Sequence, residues 1–280
     1  MPKLIPGKVF IASCIGFLII SCNQYPFENK KYQKKTDNTE VILATPKGDI
    51  RFLLYNKTPI HKEHFIKLIQ SGLLTKSKLH LIIPDYTIQC GYEYKKKKMI
   101  RNNDLQRFTG KKIPPEIFPE FIHKRGTLAA SRLPNESNPE KYSDPFQFYI
   151  VLGSLQTDFN LDLVEKKTNQ QLFYEKFIRT HPYRVDTVKN PTEENLKKYK
   201  NEYDGEYRRE FLKFKEEFHY TQEQRTIYNT VGGLPKLDGS YTIFGELLEG
   251  ADVLDSLCTV QKDEEHKPVE EMQVNWILIE

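Results

Sequence analysis

The stretch from Leu79 to Gly91 carries the clearest pattern of apolar and polar positions in the chain. Branched aliphatic residues occupy two runs, which are separated by the dipeptide Pro84-Asp85. Proline fixes φ and removes an amide donor, and Pro-Asp is typical of a turn. The pattern therefore predicts two short strands joined by a turn. A buried hairpin without any further role fits the same pattern.

Segments with similar features lie on both sides of this stretch. Val41 to Thr45 and Asp49 to Leu54 flank Pro46-Lys47-Gly48, which predicts a strand, a turn and a second strand. Thr58-Pro59 predicts the N-cap and first position of a helix. Further elements are predicted as strands at Gln147 to Val151 and Gln273 to Ile279, and as a strand followed by a helix at Glu246 to Cys258.

Between residues 161 and 229 the chain changes to a helical period rich in aromatic residues. One face of a long helix is predicted from side chains that recur every three or four positions, namely Leu196, Tyr199, Tyr203, Tyr207, Phe211, Phe214 and Phe218. A shorter helix is predicted before it from Leu172, Phe173, Phe177 and Ile178. The two helices form a predicted hairpin joined at His181 to Lys189. Its aromatic face either packs inside the hairpin or binds a client or partner chain.

The first residues predict a targeting segment. Two lysines precede the apolar run Val9 to Ile20, which is too short for an ordinary membrane span. The run ends in Ile19-Ile20-Ser21-Cys22, which resembles the lipobox of bacterial lipoproteins. This resemblance implies a signal peptide over residues 1–21, acylation of Cys22 and a polar tether over residues 22–39. A plain signal anchor is the alternative.

The net charge of the chain and its predicted cellular location limit the kinds of partner that it is expected to bind. The formal charge of the 280 residues is +4, and removal of a signal peptide with two lysines and no acidic residue leaves +2. So small an excess does not indicate a nucleic-acid surface. The lipobox implies a bacterial membrane-anchored lipoprotein on the periplasmic side or the cell surface. No Asp follows Cys22, which favours the outer membrane.

Cysteine and histidine positions indicate neither a disulfide framework nor a metal site. Cys90 and Cys258 are the two cysteines left in the folded part, and they form either one bridge or two separate core thiols. His61 and His64 share a predicted helix face, but no third ligand follows at a zinc-like spacing. We therefore expect no metal and no other cofactor.

The residue order from Leu79 to Gly91 resembles the signature of the cyclophilins, the peptidyl-prolyl cis-trans isomerases, which runs Phe-His-Arg-(Ile/Val)-Ile-Pro-Gly-Phe-x-x-Gln-Gly-Gly. The chain matches this signature at His80, Ile82, Ile83, Pro84 and Gln89, with Tyr86 at the aromatic position. It departs from the signature at Leu79, Leu81 and Cys90, where the family has Phe, Arg and Gly. The Arg position matters most, because leucine has no group that donates a hydrogen bond.

Other segments resemble the family in the same order along the chain. They are His123 to Arg132, similar to His-x-x-Gly-x-(Leu/Val)-x-Met-Ala-Asn; Phe146 to Val151, similar to Ser-Gln-Phe-Phe-Ile; and Leu237 to Gly245, similar to Leu-Asp-Gly-x-(His/Tyr)-x-(Val/Ile)-Phe-Gly. The resemblance implies a mainly β fold, an eight-stranded antiparallel barrel capped by two helices. It assigns residues 40–160 and 230–280 to the barrel, with 161–229 as a helical insertion in one barrel loop.

The resemblance also implies a groove for a substrate proline on the outer face of the barrel. By motif position, Gln89 orients the peptide and His80 supports the pocket. The pocket for the proline ring is expected to be lined by Tyr86, Tyr149, Leu237 and Tyr241. Arg132 is a candidate to replace the donor that is missing at Leu81.

The implied activity is rotation about an Xaa-Pro amide, which needs no nucleophile and has a barrier of about 18–20 kcal/mol. Leucine at the Arg position is expected to cost about 3–4 kcal/mol of transition-state stabilisation, or about 100- to 1000-fold in rate. We therefore expect a peptidyl-prolyl isomerase with weakened activity on unfolded or extended Xaa-Pro segments of exported proteins. The alternatives are a proline-binding or chaperone-like lipoprotein without turnover, and a lipoprotein that binds partners through its insertion. The sequence pattern does not indicate whether the protein is a monomer or an oligomer.

Overall fold

The computed structural model describes residues 38–75, 77–91 and 112–279. The predicted signal peptide and Cys22 lie outside these residues. Within them, eight strands form a closed antiparallel barrel, so the fold that the resemblance implies is confirmed. The strands are β1 Thr39–Thr45, β2 Gly48–Leu54, β3 Ser77–Ile83, β4 Thr87–Gly91, β5 Thr127–Ala130, β6 Gln147–Val151, β7 Ile243–Glu249 and β8 Met272–Ile279. Their order around the barrel is β1-β2-β7-β5-β6-β4-β3-β8.

Alternate side chains of the strands fill the interior of the barrel. Val41 and Leu43 on β1 are fully buried in the main core, as the two-residue period of a strand requires. Phe65, from a helix that covers the barrel, enters the same core. Its ring centroid lies 4.8 Å from that of Phe148 and 4.9 Å from that of Trp276, both in edge-on geometry. Such aromatic pairs add to the stability that burial provides.

Five α-helices accompany the barrel in the described part of the chain, namely α1 Pro59–Gln70, α2 Asp158–Thr180, α3 Glu193–Phe211, α4 Gln222–Thr230 and α5 Ala251–Cys258. Helix α1 begins with Pro59 after Thr58, as predicted. Its cap differs from the prediction, because the Thr58 side chain makes no capping hydrogen bond. The Glu116 carboxylate instead accepts hydrogen bonds from the backbone amides of Ile60 at 3.0 Å and His61 at 2.9 Å. A carboxylate at this end also interacts favourably with the helix dipole.

The helical insertion leaves and rejoins the barrel at one point. The Gly233 amide donates to the Ser154 carbonyl oxygen at 2.9 Å. A Cβ on Gly153, whose φ is +56°, would lie 2.4 Å from the Cα of Gly233. Glycine adopts this φ without strain and allows the two backbones to touch. Since both ends of the insertion are held together, the strands around it pair undisturbed.

The helices of the insertion differ from the prediction in length. The aromatic pattern predicts one helix as far as Phe218, but α3 ends at Phe211. The segment beyond it bonds to a side chain instead, because the Asn169 amide oxygen accepts from the backbone amides of Glu217 and Phe218, each at 2.9 Å. Helix α2, predicted to be the shorter of the pair, has 23 residues against 19 in α3. The prediction of their relative lengths is therefore wrong, and α4 was not predicted at all.

The aromatic face of α3 packs inside the hairpin. The Phe173 ring lies 5.0 Å from Tyr207 and 5.1 Å from Phe211, and the Phe177 ring lies 5.4 Å from Tyr203, all as centroid distances. Phe173 and Phe177 are buried. A second small core, formed by Ile122, Leu161, Tyr220 and Tyr228, joins the insertion to the barrel. The prediction that the aromatic face packs inside the hairpin is therefore confirmed for these residues.

Both described cysteines are free thiols, so the bridge that the sequence left open is absent between them. Cys90 is fully buried, and burial raises the pKa of its thiol to about 12. Cys258 is half-buried, and burial likewise raises its pKa. Neither thiol is therefore set up as a reactive nucleophile. Over residues 38–75, 77–91 and 112–279, no helix combines the length and apolar character needed to cross a membrane.

Candidate functional site

Three adjacent strands bring predicted site residues to one face of the barrel wall. Gln89 on β4 pairs directly with Tyr149 on β6 and with Leu81 on β3. Directly paired residues of antiparallel strands project to the same side of a sheet. Leu81, Gln89 and Tyr149 therefore form a row across the barrel wall.

A β-bulge at His80 determines which side chain of β3 joins this row. Leu79 pairs with Cys90 and Leu81 pairs with Gln89, which leaves His80 as the extra residue. Leu79 is buried in the core, and strict alternation along the strand would place Leu81 on that same inner face. The bulge therefore turns Leu81 to the outer face beside Gln89.

A depression of about 180 Å³ lies on this face, and we call it the notch. It is lined by Tyr86, Thr87, Gln89, Ser131, Arg132, Gln147, Tyr149, Leu237 and Tyr241. The lining includes five residues predicted from motif position, namely Tyr86, Gln89, Tyr149, Leu237 and Tyr241, and also the candidate replacement donor Arg132. His80 is not among them, and its predicted supporting role stays a prediction. Thr87, Ser131 and Gln147 were not predicted, although each stands within two residues of a predicted one in the sequence.

Two aromatic rings at the notch each carry a cation on one face. The Arg132 guanidinium lies 4.6 Å from the ring centroid of Tyr241, and the Lys236 ammonium lies 4.6 Å from that of Tyr86. The Tyr241 ring stands perpendicular to the ring of Tyr149 at a centroid distance of 5.7 Å. The notch therefore has aromatic walls and a positively charged rim.

The Arg132 guanidinium is held by its own loop and the loop opposite. Nε donates to the Ser240 carbonyl oxygen at 2.6 Å, Nη1 to the Leu133 carbonyl oxygen at 2.9 Å, and Nη2 to Asn135 Oδ1 at 2.8 Å. These bonds and the contact with Tyr241 fix the side chain at the rim. Its predicted role as the replacement donor for Leu81 stays a prediction.

The hydroxyls of Tyr86 and Tyr149 at the notch remain uncharged at neutral pH. Burial raises the pKa of Tyr86, and the neighbouring Tyr241 raises it further. Burial also raises the pKa of Tyr149 well above its usual value, again with a contribution from Tyr241. The walls of the notch therefore keep an apolar character suited to a ring without charge.

The two histidines that share a face of α1 are bound to protein groups. His61 Nδ1 lies 2.8 Å from Glu116 Oε2, and its Nε2 lies 2.9 Å from the Ser143 hydroxyl. Burial lowers the pKa of His61, although Glu116 acts in the opposite direction. His64 Nε2 lies 2.7 Å from the Pro145 carbonyl oxygen. In the described ranges no group of three or more potential metal ligands occurs.

Comparison with known proteins identifies the family. Residues 40–277 match the family described as "Cyclophilin type peptidyl-prolyl cis-trans isomerase/CLD". The match covers most of the chain, and the protein therefore belongs to the cyclophilin-type peptidyl-prolyl cis-trans isomerase family.

Individual proteins resemble this chain either over a short segment or at low sequence identity. A segment of 46 residues is 41% identical to "Peptidyl-prolyl cis-trans isomerase-like 3" of Rhizopus delemar, and it spans 16% of this chain and 27% of that protein. A crystal structure of a Cryptosporidium parvum cyclophilin-type isomerase is similar with a TM-score of 0.48 and 18% identity over 86% of this chain and 97% of the other. The same protein crystallised in the presence of the dipeptide Ala-Pro has a TM-score of 0.46 and 19% identity over 85% and 98%.

Proposed function

We propose that the protein is a peptidyl-prolyl isomerase that acts on Xaa-Pro segments of exported proteins, with turnover slowed by Leu81. The observation that carries this proposal is the convergence of Tyr86, Gln89, Tyr149 and Leu237 on the notch. These four residues come from three separate segments of the chain and are selected by motif position alone. Their meeting at one surface supports a common role in holding a proline.

The notch offers walls that can hold a proline ring and an amide that can bond the peptide backbone. An isomerase accelerates rotation by binding the twisted amide more strongly than the planar one, and no proton has to move. The aromatic and aliphatic walls hold the pyrrolidine ring, while the Gln89 amide hydrogen-bonds the backbone of the peptide. With the ring fixed, rotation is confined to the residue that precedes proline.

Replacing Gln89 with Ala is expected to slow isomerisation about tenfold, because one hydrogen bond contributes about 1–1.5 kcal/mol net. The measurement is NMR exchange spectroscopy of an Ala-Pro-containing peptide with a small amount of protein. Gln273→Ala, at an exposed position on β8, is the matched control and should keep the wild-type rate. If the wild-type protein does not accelerate exchange above background, the proposed function fails. An unchanged rate in Gln89→Ala removes the role of Gln89 alone.

Proline binding without turnover is the second candidate. It is favoured by Leu81, which cannot donate a hydrogen bond, and by the Arg132 guanidinium, whose bonds commit it to the loops. This candidate predicts that an Ala-Pro peptide shifts NMR signals of notch residues while its cis-trans exchange stays at the uncatalysed rate. Accelerated exchange rules it out.

We also propose that Cys22 is acylated and tethers the barrel to a bacterial membrane, with the outer membrane favoured. The sequence Ile19-Ile20-Ser21-Cys22 supports this proposal. Cys22→Ser is expected to abolish labelling by a radioactive or clickable fatty acid and to release the protein from washed membranes, because one lost attachment site removes the anchor. Cys258→Ser is the control and should label normally. Labelling of Cys22→Ser at the wild-type level would contradict the proposal.

A further inference from the structure

The insertion reaches the notch through buried hydrogen bonds that begin at two tyrosines. The Tyr228 hydroxyl lies 2.5 Å from Asp238 Oδ2, and the Tyr220 hydroxyl lies 2.8 Å from the same oxygen. Tyr228 is fully buried and Tyr220 nearly so. Burial and the adjacent Asp238 carboxylate raise the pKa of both tyrosines, so their hydroxyls remain protonated donors.

The second oxygen of Asp238 holds a buried histidine. Asp238 Oδ1 lies 2.8 Å from the His123 backbone nitrogen and 2.7 Å from its Nδ1. The Asp238 carboxylate thus makes four close polar contacts, two with tyrosine hydroxyls and two with His123. With Nδ1 engaged by Asp238, Nε2 is the ring nitrogen left to bond on the other side of His123.

The chain of bonds ends at the wall of the notch. His123 Nε2 lies 2.9 Å from the Tyr149 hydroxyl, so a hydrogen bond joins the two side chains. The two rings are nearly parallel at 7° with centroids 6.1 Å apart, and His123 is fully buried. The family motif has Phe at this position, which would fill the same space without this bond. The hydroxyl of Tyr149 thus fixes the orientation of a ring that lines the notch.

We propose that Tyr220 and Tyr228 of the insertion are positioning residues for the notch, which act through Asp238 and His123 on the ring of Tyr149. The insertion thereby sets how tightly the notch binds Xaa-Pro segments, without touching them. This inference rests on the proposed function for its ligand. Phenylalanine at both positions keeps the ring packing of the small core and removes only the hydroxyls, so bonding and packing are separable.

The test is a mutant cycle between the two ends of the chain of bonds. Tyr220→Phe/Tyr228→Phe is expected to weaken binding of an Ala-Pro-containing peptide about fivefold in an NMR titration. Tyr149→Phe is expected to weaken it to a similar extent. In the triple variant the two fold-losses in peptide affinity should not multiply, because both changes break the same series of hydrogen bonds. Tyr174→Phe, on the exposed surface of α2, is the control and should bind as the wild type does.

The ring signals of His123 report on the bonds independently of any ligand. The double variant is expected to shift the ¹⁵N signal of His123 Nε2 and the ring signals of Tyr149, while circular dichroism shows a folded protein. Unchanged His123 and Tyr149 signals in the double variant overturn the inference, and so do peptide affinities that multiply in the triple variant. A wild-type protein that binds no Xaa-Pro peptide defeats the proposed function and with it the role in binding. Shifted ring signals would then still show that the bonds connect the insertion to Tyr149.

Discussion

Replacing Leu81 with Arg is expected to raise the rate of Xaa-Pro isomerisation about 100-fold, the lower end of what one positioned donor contributes to transition-state stabilisation. Leu81 pairs directly with Gln89, so an arginine at position 81 starts on the outer face beside the notch. Its guanidinium supplies donors to the twisted amide, which the wild-type side chain lacks. The measurement is kcat/KM from NMR exchange of an Ala-Pro-containing peptide.

Two variants separate this effect from changes of shape and net charge. Leu81→Met keeps an apolar side chain of similar volume and should leave the rate unchanged. Leu155→Arg adds the same charge at a residue that is 63% exposed and outside the notch, and it should also leave the rate unchanged. If Leu81→Arg is no faster than the wild type although the wild type is active, the notch already has a sufficient donor. Without catalysis in either protein, the assignment as an isomerase fails.

The barrel is predictable because its strands carry strong local signals. Apolar runs broken at Pro84-Asp85 and Pro46-Lys47-Gly48 mark turns, and the structure places strands on both sides of each. The bulge at His80 has no such signal. Nothing in the residue types of Leu79 and Leu81 shows that the first faces the core and the second the outside, since only the pairing with β4 decides this.

The insertion was predicted less well because aromatic periodicity does not mark where a helix ends. Phe214 continues the spacing of α3, yet it contacts Phe173 from a segment outside the helix, at a centroid distance of 5.4 Å. Helix α4 is short and mostly polar, so it offers few apolar side chains from which a helix could be predicted. Its start nevertheless carries a readable signal, because Thr221 and Gln224 have the spacing of a capping box and form one in the structure.

The walls of the notch follow from motif position, whereas the bonds behind them do not. His123 and Asp238 stand 115 positions apart, and both belong to motifs recognised for other reasons. Tyr220 and Tyr228 lie in residues 161–229, the part of the chain that does not resemble the family. A sequence shows that such side chains have polar tips, but only the packing of the insertion against the barrel brings these tips to one carboxylate.

Replacing Asp238 with Ala is expected to lower the free energy of unfolding by about 3–5 kcal/mol, because several buried donors lose their acceptor at once. The residue is 6% exposed and accepts hydrogen bonds from His123, Tyr220 and Tyr228. Each donor left without an acceptor costs about 1–3 kcal/mol. The cost is smaller for Tyr220, because its hydroxyl also donates to the Pro235 carbonyl oxygen at 3.1 Å and keeps that acceptor in the variant.

Urea unfolding followed by circular dichroism measures this loss, and thermal unfolding should show a midpoint roughly 10 °C lower. Asp204→Ala is the matched control in the insertion, since its side chain is 40% exposed and pairs with Lys200 one helical turn away. Such a surface pair contributes about 0.3–0.5 kcal/mol, so this variant should remain close to the wild type. A change of less than about 1 kcal/mol in Asp238→Ala would mean that the buried donors find other acceptors. The carboxylate would then not be what joins the insertion firmly to the barrel.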